Sequence, residues 1–417
     1  MSKPFRQRAT CTLCAAGARD LAEVMSLAPT PPANEFVREE ELGKPQGTIP
    51  LTLLLCRVCG HLQLAEIVDP ERLFKNYVYV SGTSPVFIAH FAEYAQTCCS
   101  RFGLAERSFV VEIGSNDGTL LKQFQNFGVK DVLGIDPATE IVKAAVTAGI
   151  PTLEAFFTTD LARELRTTRR AADLVCANNV FAHAEDLGDF ARAAAALLGP
   201  DGVFVFEVSY LADVVEKLLF DTIYHEHTSY HALAPLVRFF EAQGMRLFDA
   251  ERVNTHGGSI RCFASLASSS HPNTPRLAEL LQKERELGLE TPAVYQSFKQ
   301  RIRERGEGLK QRLAEIRGRG ERVAGFGAPA KLTTLMHEFG LDRQTIDFIV
   351  DDSAWKQGRF TPGTHIPVVA SSELGARKPA WCVVFAWNFA DSIVKKQAAY
   401  LAGGGHFIVP LPELREV

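Results

Sequence analysis

Apolar and polar positions fall into three successive patterns along the chain. Up to about residue 69, short apolar runs, chiefly TIPLTLLLC, are interrupted by paired cysteines and by a loop holding Pro29, Pro31 and Pro32. From about Ser108 the apolar runs SFVVEIG, VLGID, DLVCANN and VFVFEV alternate with amphipathic stretches. That alternation is the wiring of a parallel sheet covered by helices on both faces. After Pro272 come two long charged helical stretches, LAELLQKERELGLE and VYQSFKQRIRERGEGLKQRLAEIRGRG, and then strands return in RVAGFGA and IDFIVDD. The expected fold is α/β in three units, 1–69, 70–265 and 266–417, with the charged helices docked on the third.

Length supports the division, because 417 residues exceed one ordinary core at roughly 150 residues per domain. A composition of 46% hydrophobic and 23% charged residues is that of a folded chain rather than a disordered one. The formal charge of −4 provides no broad positive field, so nucleic acid is not an expected partner. No apolar run approaches the roughly 20 residues that cross a bilayer, and the start MSKPFRQRAT lacks an apolar signal core. A cytoplasmic protein, monomeric or weakly dimeric and without a membrane partner, is expected.

In a reducing compartment cysteines serve more often as metal ligands or small core residues than as disulfides. Of the nine present, Cys11 and Cys14 form one C-x-x-C turn, and Cys56 and Cys59 form another. Two such turns supply four thiolates to one ion, a closed tetrahedral zinc site without a position for substrate. The zinc is therefore expected to be structural, and the other five cysteines to pack in cores.

In VVEIGSNDGTLL a strand ends at Glu112, passes through Gly114, Asn116 and Gly118, and opens a helix. Open α/β sheets bind ligands at this carboxyl edge. A second strand ends at Asp136, whose carboxylate can accept both hydroxyls of a ribose. The glycine spacing departs from the dinucleotide G-x-G-x-x-G. It resembles the motif of class I S-adenosylmethionine methyltransferases, which implies a loop passing the methionine part and an acid holding the ribose. The same resemblance puts Phe156, in the turn after the third strand, near the adenine, and Asn178 and Asn179, at the end of the fourth, near the sulfonium.

The segment IYHEHTSYH crowds Tyr224, His225, Glu226, His227, Tyr230 and His231 into eight positions. It reads as a catalytic loop, against a metal site or a solvated polar loop; His225-Glu226-His227 lacks the i, i+4 spacing of H-E-x-x-H. In the third unit GFGAPAK matches G-x-G-x-x-A after a strand, through Gly325, Gly327 and Ala330. Taken alone it suggests NAD; a helix amino terminus suits a substrate diphosphate equally well.

The order of these motifs, from the four-cysteine unit through YVYVSGTS, EIGSNDG, NNVFAH, YHEHTSY and THGGSIR to GFGAPAK, resembles that of the sugar C-methyltransferases, the group that includes the C-3 methyltransferase of the tetronitrose pathway. The resemblance covers nearly the whole chain. It implies a zinc-binding amino-terminal domain, a central S-adenosylmethionine domain and a carboxyl-terminal Rossmann-like domain that helps hold a nucleotide-diphosphate keto-sugar. It carries catalytic roles to Tyr224, Glu226, His227 and His183, and to either Tyr77 or Tyr79. Lys331, Gly327 and Asn388 of WNFAD become expected substrate contacts. Competing readings are an O-methyltransferase using the same residues, a zinc-ribbon nucleic-acid binder, and an NAD-dependent sugar oxidoreductase.

Overall fold

The computed structural model describes residues 4–74, 82 and 85–417. Tyr77 and Tyr79 lie outside the described residues. Among those residues three main sheets correspond to the three sequence patterns. No described helix is long and apolar enough to cross a membrane.

The first sheet is antiparallel and pairs Leu21–Thr30, Ile49–Cys56 and Leu62–Leu64 in that order. In Ile49–Cys56 the alternate residues Ile49, Leu51, Leu53 and Leu55 are buried, as expected of a strand with one face on a core. Its fourth strand is Ser229–Tyr230, contributed by the central domain.

The central sheet has seven strands. Phe109–Ile113 lies between Asp131–Asp136 and Ala172–Asn178, all parallel, and Leu198–Ser209 continues the sheet beyond the latter. Met245–Val253 and Ser259–Leu266 then pair antiparallel and close that edge. Every residue of Phe109–Ile113 is buried, the continuous apolar run of a strand covered on both faces. This arrangement gathers the ends of Phe109–Ile113, Asp131–Asp136 and Ala172–Asn178 along one edge of the sheet.

The third sheet orders Val368–Ala370, Ile349–Asp351, Val323–Phe326, Trp381–Val384 and His406–Val409 in parallel, with Arg415–Glu416 antiparallel at the edge. The long helix Pro292–Gly318 buries Tyr295, Phe298, Ile302, Leu309, Leu313 and Ile316, a stripe at helical spacing. It docks on the third sheet, as expected, but also on Leu21–Thr30 and Leu211–Glu216, where Arg301 bonds the carbonyls of Val215 and Glu216. The first charged helix, Pro275–Leu287, departs from the expectation and packs on Met245–Val253 and Leu233–Ala242 of the central domain, where Glu284 accepts from Leu233 N and Ala234 N. One apolar core therefore runs through all three units.

Candidate active site

The four cysteines converge as their spacing predicts. Their sulfurs all lie within 4.8 Å of one another, with Cys11–Cys59 and Cys14–Cys56 at 3.6 Å. Tetrahedral bonds of about 2.3 Å put sulfurs roughly 3.8 Å apart, so the cradle fits zinc. The remaining five cysteines form no disulfide, and all but Cys99 are buried.

The glycine loop follows Phe109–Ile113. Gly114, Asn116 and Gly118 have φ of 63°, 51° and 78°, a left-handed run that keeps the loop flat against the sheet edge. A Cβ on Gly114 would stand 2.3 Å from Val180 Cγ2. Asp136 ties the loop to the next strand: its carboxylate accepts from Asn116 N at 3.0 Å and from Ala138 N at 2.9 Å. Among the described residues, one oxygen of buried Glu112 and the Ser115 hydroxyl have no hydrogen-bond partner. Burial, and then the charges of Asp117 and Asp136, hold the Glu112 carboxyl well above the usual range. Two orphaned polar atoms beside a loop that tolerates no Cβ describe a place for a polar ligand.

The turn holding Phe156 and the strand end at Asn178 lie next to this loop. Ala155 N donates to the Asp136 carbonyl, which brings the turn holding Phe156 beside the acid; the Phe156 ring is 55% exposed. Asn178 closes its strand opposite Glu207. Asn179 adopts φ 56°, its amide donates to the Glu207 carbonyl, and its side chain faces His256 at 3.5 Å.

His227 lies among the central domain, the cysteine-bearing sheet and the third domain. Its Nδ1 meets the Thr222 carbonyl at 2.8 Å. A carbonyl only accepts, so Nδ1 carries the proton and Nε2 of the neutral ring carries the lone pair. Nε2 accepts from the Tyr224 hydroxyl at 2.9 Å. His183 stacks on the same imidazole, with ring centres 5.0 Å apart. Burial, and secondarily the charge of Lys331, lowers His227 to about 4; burial and His227 lower His183 well below its ordinary value. Both rings are neutral at physiological pH.

Glu226 turns elsewhere. Its carboxylate accepts from Asn34 Nδ2 at 2.7 Å, and burial pushes it up to about 7. The imidazole is thus oriented by Thr222 and Tyr224. His225 bonds the Pro50 carbonyl. Asn34 comes from the proline-containing loop and Pro50 from the first sheet, so the amino-terminal unit forms one wall of the site.

The third domain forms another wall. Asn388 lines a cavity of about 600 Å³ together with Phe87, His90, Asn254, His256 and Trp387. Gly327 lies instead in an adjoining cleft of about 260 Å³ with Asp351 and Lys396. Lys331 lines neither: it is buried, donates to the His256 carbonyl at 2.8 Å, and stands 4.6 Å over the Trp387 ring. Trp387 donates in turn to Asp221. Gly257 of THGGSIR lets this ring approach, since a Cβ there would meet Trp387 at 2.6 Å.

Comparison with known proteins bears on these units. Residues 11–74 match a family described as a zinc binding domain, 88–250 a methyltransferase domain, and 254–412 a C-methyltransferase C-terminal domain. The curated C-methyltransferase NovU of Streptomyces niveus is 35% identical over 407 residues, 98% of this chain and 96% of NovU. Among solved structures, an S-adenosylmethionine-dependent methyltransferase from Clostridium acetobutylicum matches at 13% identity, covering 43% of this chain and 92% of its own, with a TM-score of 0.35. The magnesium protoporphyrin IX methyltransferase of Synechocystis matches at 15%, covering 46% and 91%, also with a TM-score of 0.35.

Proposed function

Because the chain belongs to the family of S-adenosylmethionine-dependent C-methyltransferases with a zinc-binding amino-terminal domain, we propose that it methylates the carbon next to the keto group, C-3, of a nucleotide-diphosphate 4-keto-deoxysugar. The observation that carries this reading is the hydrogen-bonded Tyr224–His227 pair, whose imidazole stacks on His183. Carbon beside a carbonyl becomes a nucleophile only when it loses a proton, which calls for a base with a free lone pair and a donor for the oxygen that gains charge.

His227 Nε2 is that base. Among the described residues its hydrogen-bond partner is the Tyr224 hydroxyl, so the substrate proton reaches Nε2 by displacing that hydroxyl or by passing through it. Thr222 keeps Nδ1 protonated, and the resulting imidazolium is held by two hydrogen bonds. His183, neutral and adjacent, supplies an N–H for the enolate oxygen. A positioned base of this kind contributes typically about 10²- to 10⁴-fold. S-adenosylmethionine, when bound, supplies an electrophilic methyl group. Glu112, the glycine loop and Asp136 would hold it, and Phe156 would lie against the adenine.

A cavity of about 600 Å³ is within the range that takes a nucleotide-sized ligand. Asn388 and Arg415 line it and are assigned to the nucleotide diphosphate, with Gly327 at its margin. Lys331 acts from behind the wall through His256 and Trp387. The four thiolates would complete the coordination of a zinc ion, whose role would be to hold the fold. Mass spectrometry after incubation with a panel of nucleotide-linked keto-sugars tests the reading: one added methyl on a 4-keto-deoxysugar supports it, and methylation confined to substrates without a ketone overturns it.

A further inference from the structure

The strand Ser229–Tyr230 begins two residues after His227 and pairs with Leu62–Leu64 of the cysteine-bearing sheet, Ser229 opposite Gln63 and Tyr230 opposite Leu62. Leu64 N donates to the Thr228 carbonyl at 3.0 Å. Thr228 is gripped from the other side as well, since its amide and its hydroxyl both donate to the Ala182 carbonyl, next to His183. The segment after His227 is therefore clamped between the two domains.

Both cysteine turns reach this clamp directly. Gln63 Oε1 accepts from Thr12 N at 3.0 Å and from the Thr12 hydroxyl at 3.1 Å, and Thr12 lies inside the Cys11–Cys14 turn. The second turn is closed by Cys56 N donating to the His61 carbonyl at 2.9 Å. The fully buried His61 ring faces the Ser229 hydroxyl at 3.3 Å and stacks on His231, with centres 5.5 Å apart. His231 stacks in turn on Phe181 at 5.3 Å. A contiguous path of hydrogen bonds and stacked rings thus runs from the cysteine cradle to the residues flanking His227 and His183.

We propose that His61 is a positioning residue, and that the cysteine-bearing sheet is a template fixing the register of Thr228–His231 and, through it, His227. The consequence for rate rests on the methyl-transfer reading of His227; the consequence for structure does not. A small polar strand pinned at a sheet edge by few bonds is free to shift when those bonds are lost.

The test uses full-length protein carrying His61→Ala, His61→Gln, Ser229→Ala or both His61→Ala and Ser229→Ala. Amide hydrogen exchange is measured over residues 224–231, together with zinc content, S-adenosylhomocysteine affinity, and kcat and KM on an accepted keto-sugar. Expected are about tenfold faster exchange in this segment and about tenfold lower kcat in His61→Ala and Ser229→Ala, with zinc content, affinity and KM unchanged. His61→Gln, which keeps a donor toward Ser229, should recover most of both losses. The double variant should be no worse than His61→Ala, because Ser229 acts through the contact it shares with His61. Unchanged exchange and kcat in Ser229→Ala, or additive losses in the double variant, would overturn the proposal. If His61→Ala does not fold, Ser229→Ala decides alone. Wild-type protein that turns over no keto-sugar would defeat the functional reading, while exchange would still judge the template.

Discussion

The Tyr224 hydroxyl donates to His227 Nε2 across 2.9 Å, occupying the nitrogen that must receive a proton in carbanion chemistry. In the proposed reaction the tyrosine therefore belongs to the proton path. Tyr224→Phe removes the hydroxyl and keeps the ring stacked on the imidazole, with centres 4.1 Å apart. Its kcat should fall about 10²-fold with S-adenosylhomocysteine affinity unchanged. Steady-state kinetics and calorimetry together check this; a change confined to KM would make the tyrosine a binding group.

Two neighbouring groups of the loop, His227 and Glu226, are displaced in opposite directions. Burial lowers His227 to about 4, so the base is neutral and competent above that value. Burial raises Glu226 to about 7, so its carboxyl is neutral below that value and ionised above. A negative charge at Glu226 disfavours a second one forming on the enolate in the same buried site. The rate should therefore rise through about pH 4, stay level, and fall above about pH 7. Glu226→Gln, neutral throughout and able to accept from Asn34, should lose the alkaline limb. A pH–kcat profile of both proteins is the check, and an unchanged alkaline limb in the variant would assign it to another group.

Much of this site is readable from the chain because its chemistry sits in contiguous residues. The cysteine turns, the glycine loop with Asp136, and the cluster Tyr224–His227 each announce themselves within a few positions. Thr222 does not, since it works through a backbone carbonyl that every residue type possesses. Asn34 is 192 positions from Glu226, and only tertiary packing joins them. Lys331 has the same sequence neighbours whether it faces a diphosphate or the core; the fold turns it inward onto His256. The edge strand Met245–Val253 hides its β character behind Arg246, Asp249 and Arg252, whose charges are met by partners such as Arg101, Arg276 and Asp213.

The cofactor loop gives a prediction on binding alone. Asp136→Ala removes a carboxylate that also ties Asn116 to the sheet, and should weaken S-adenosylmethionine by about 1.5 to 3 kcal/mol. Gly114→Ala places a methyl 2.3 Å from Val180 Cγ2 at a φ of 63°, and should weaken it at least as much. Calorimetric titration that finds wild-type affinity in both would remove this loop from cofactor binding.

Metal analysis should find one zinc per chain on Cys11, Cys14, Cys56 and Cys59. Zinc in such a site is worth on the order of 10 kcal/mol to a small unit. Cys56→Ser should accordingly reduce soluble yield far more than it reduces turnover per folded molecule. Full yield with lost turnover would point to a metal acting in the reaction.

The central claim is methyl transfer to carbon beside a ketone, with His227 as the base. Its most direct test is to incubate the protein with a nucleotide-diphosphate 4-keto-deoxysugar and S-adenosylmethionine labelled with carbon-13 in the methyl group, then locate the label by nuclear magnetic resonance. Wild-type protein should yield a labelled methyl bonded to ring carbon C-3, and His227→Asn none. A label bonded to oxygen, or undiminished carbon methylation by His227→Asn, would contradict the claim.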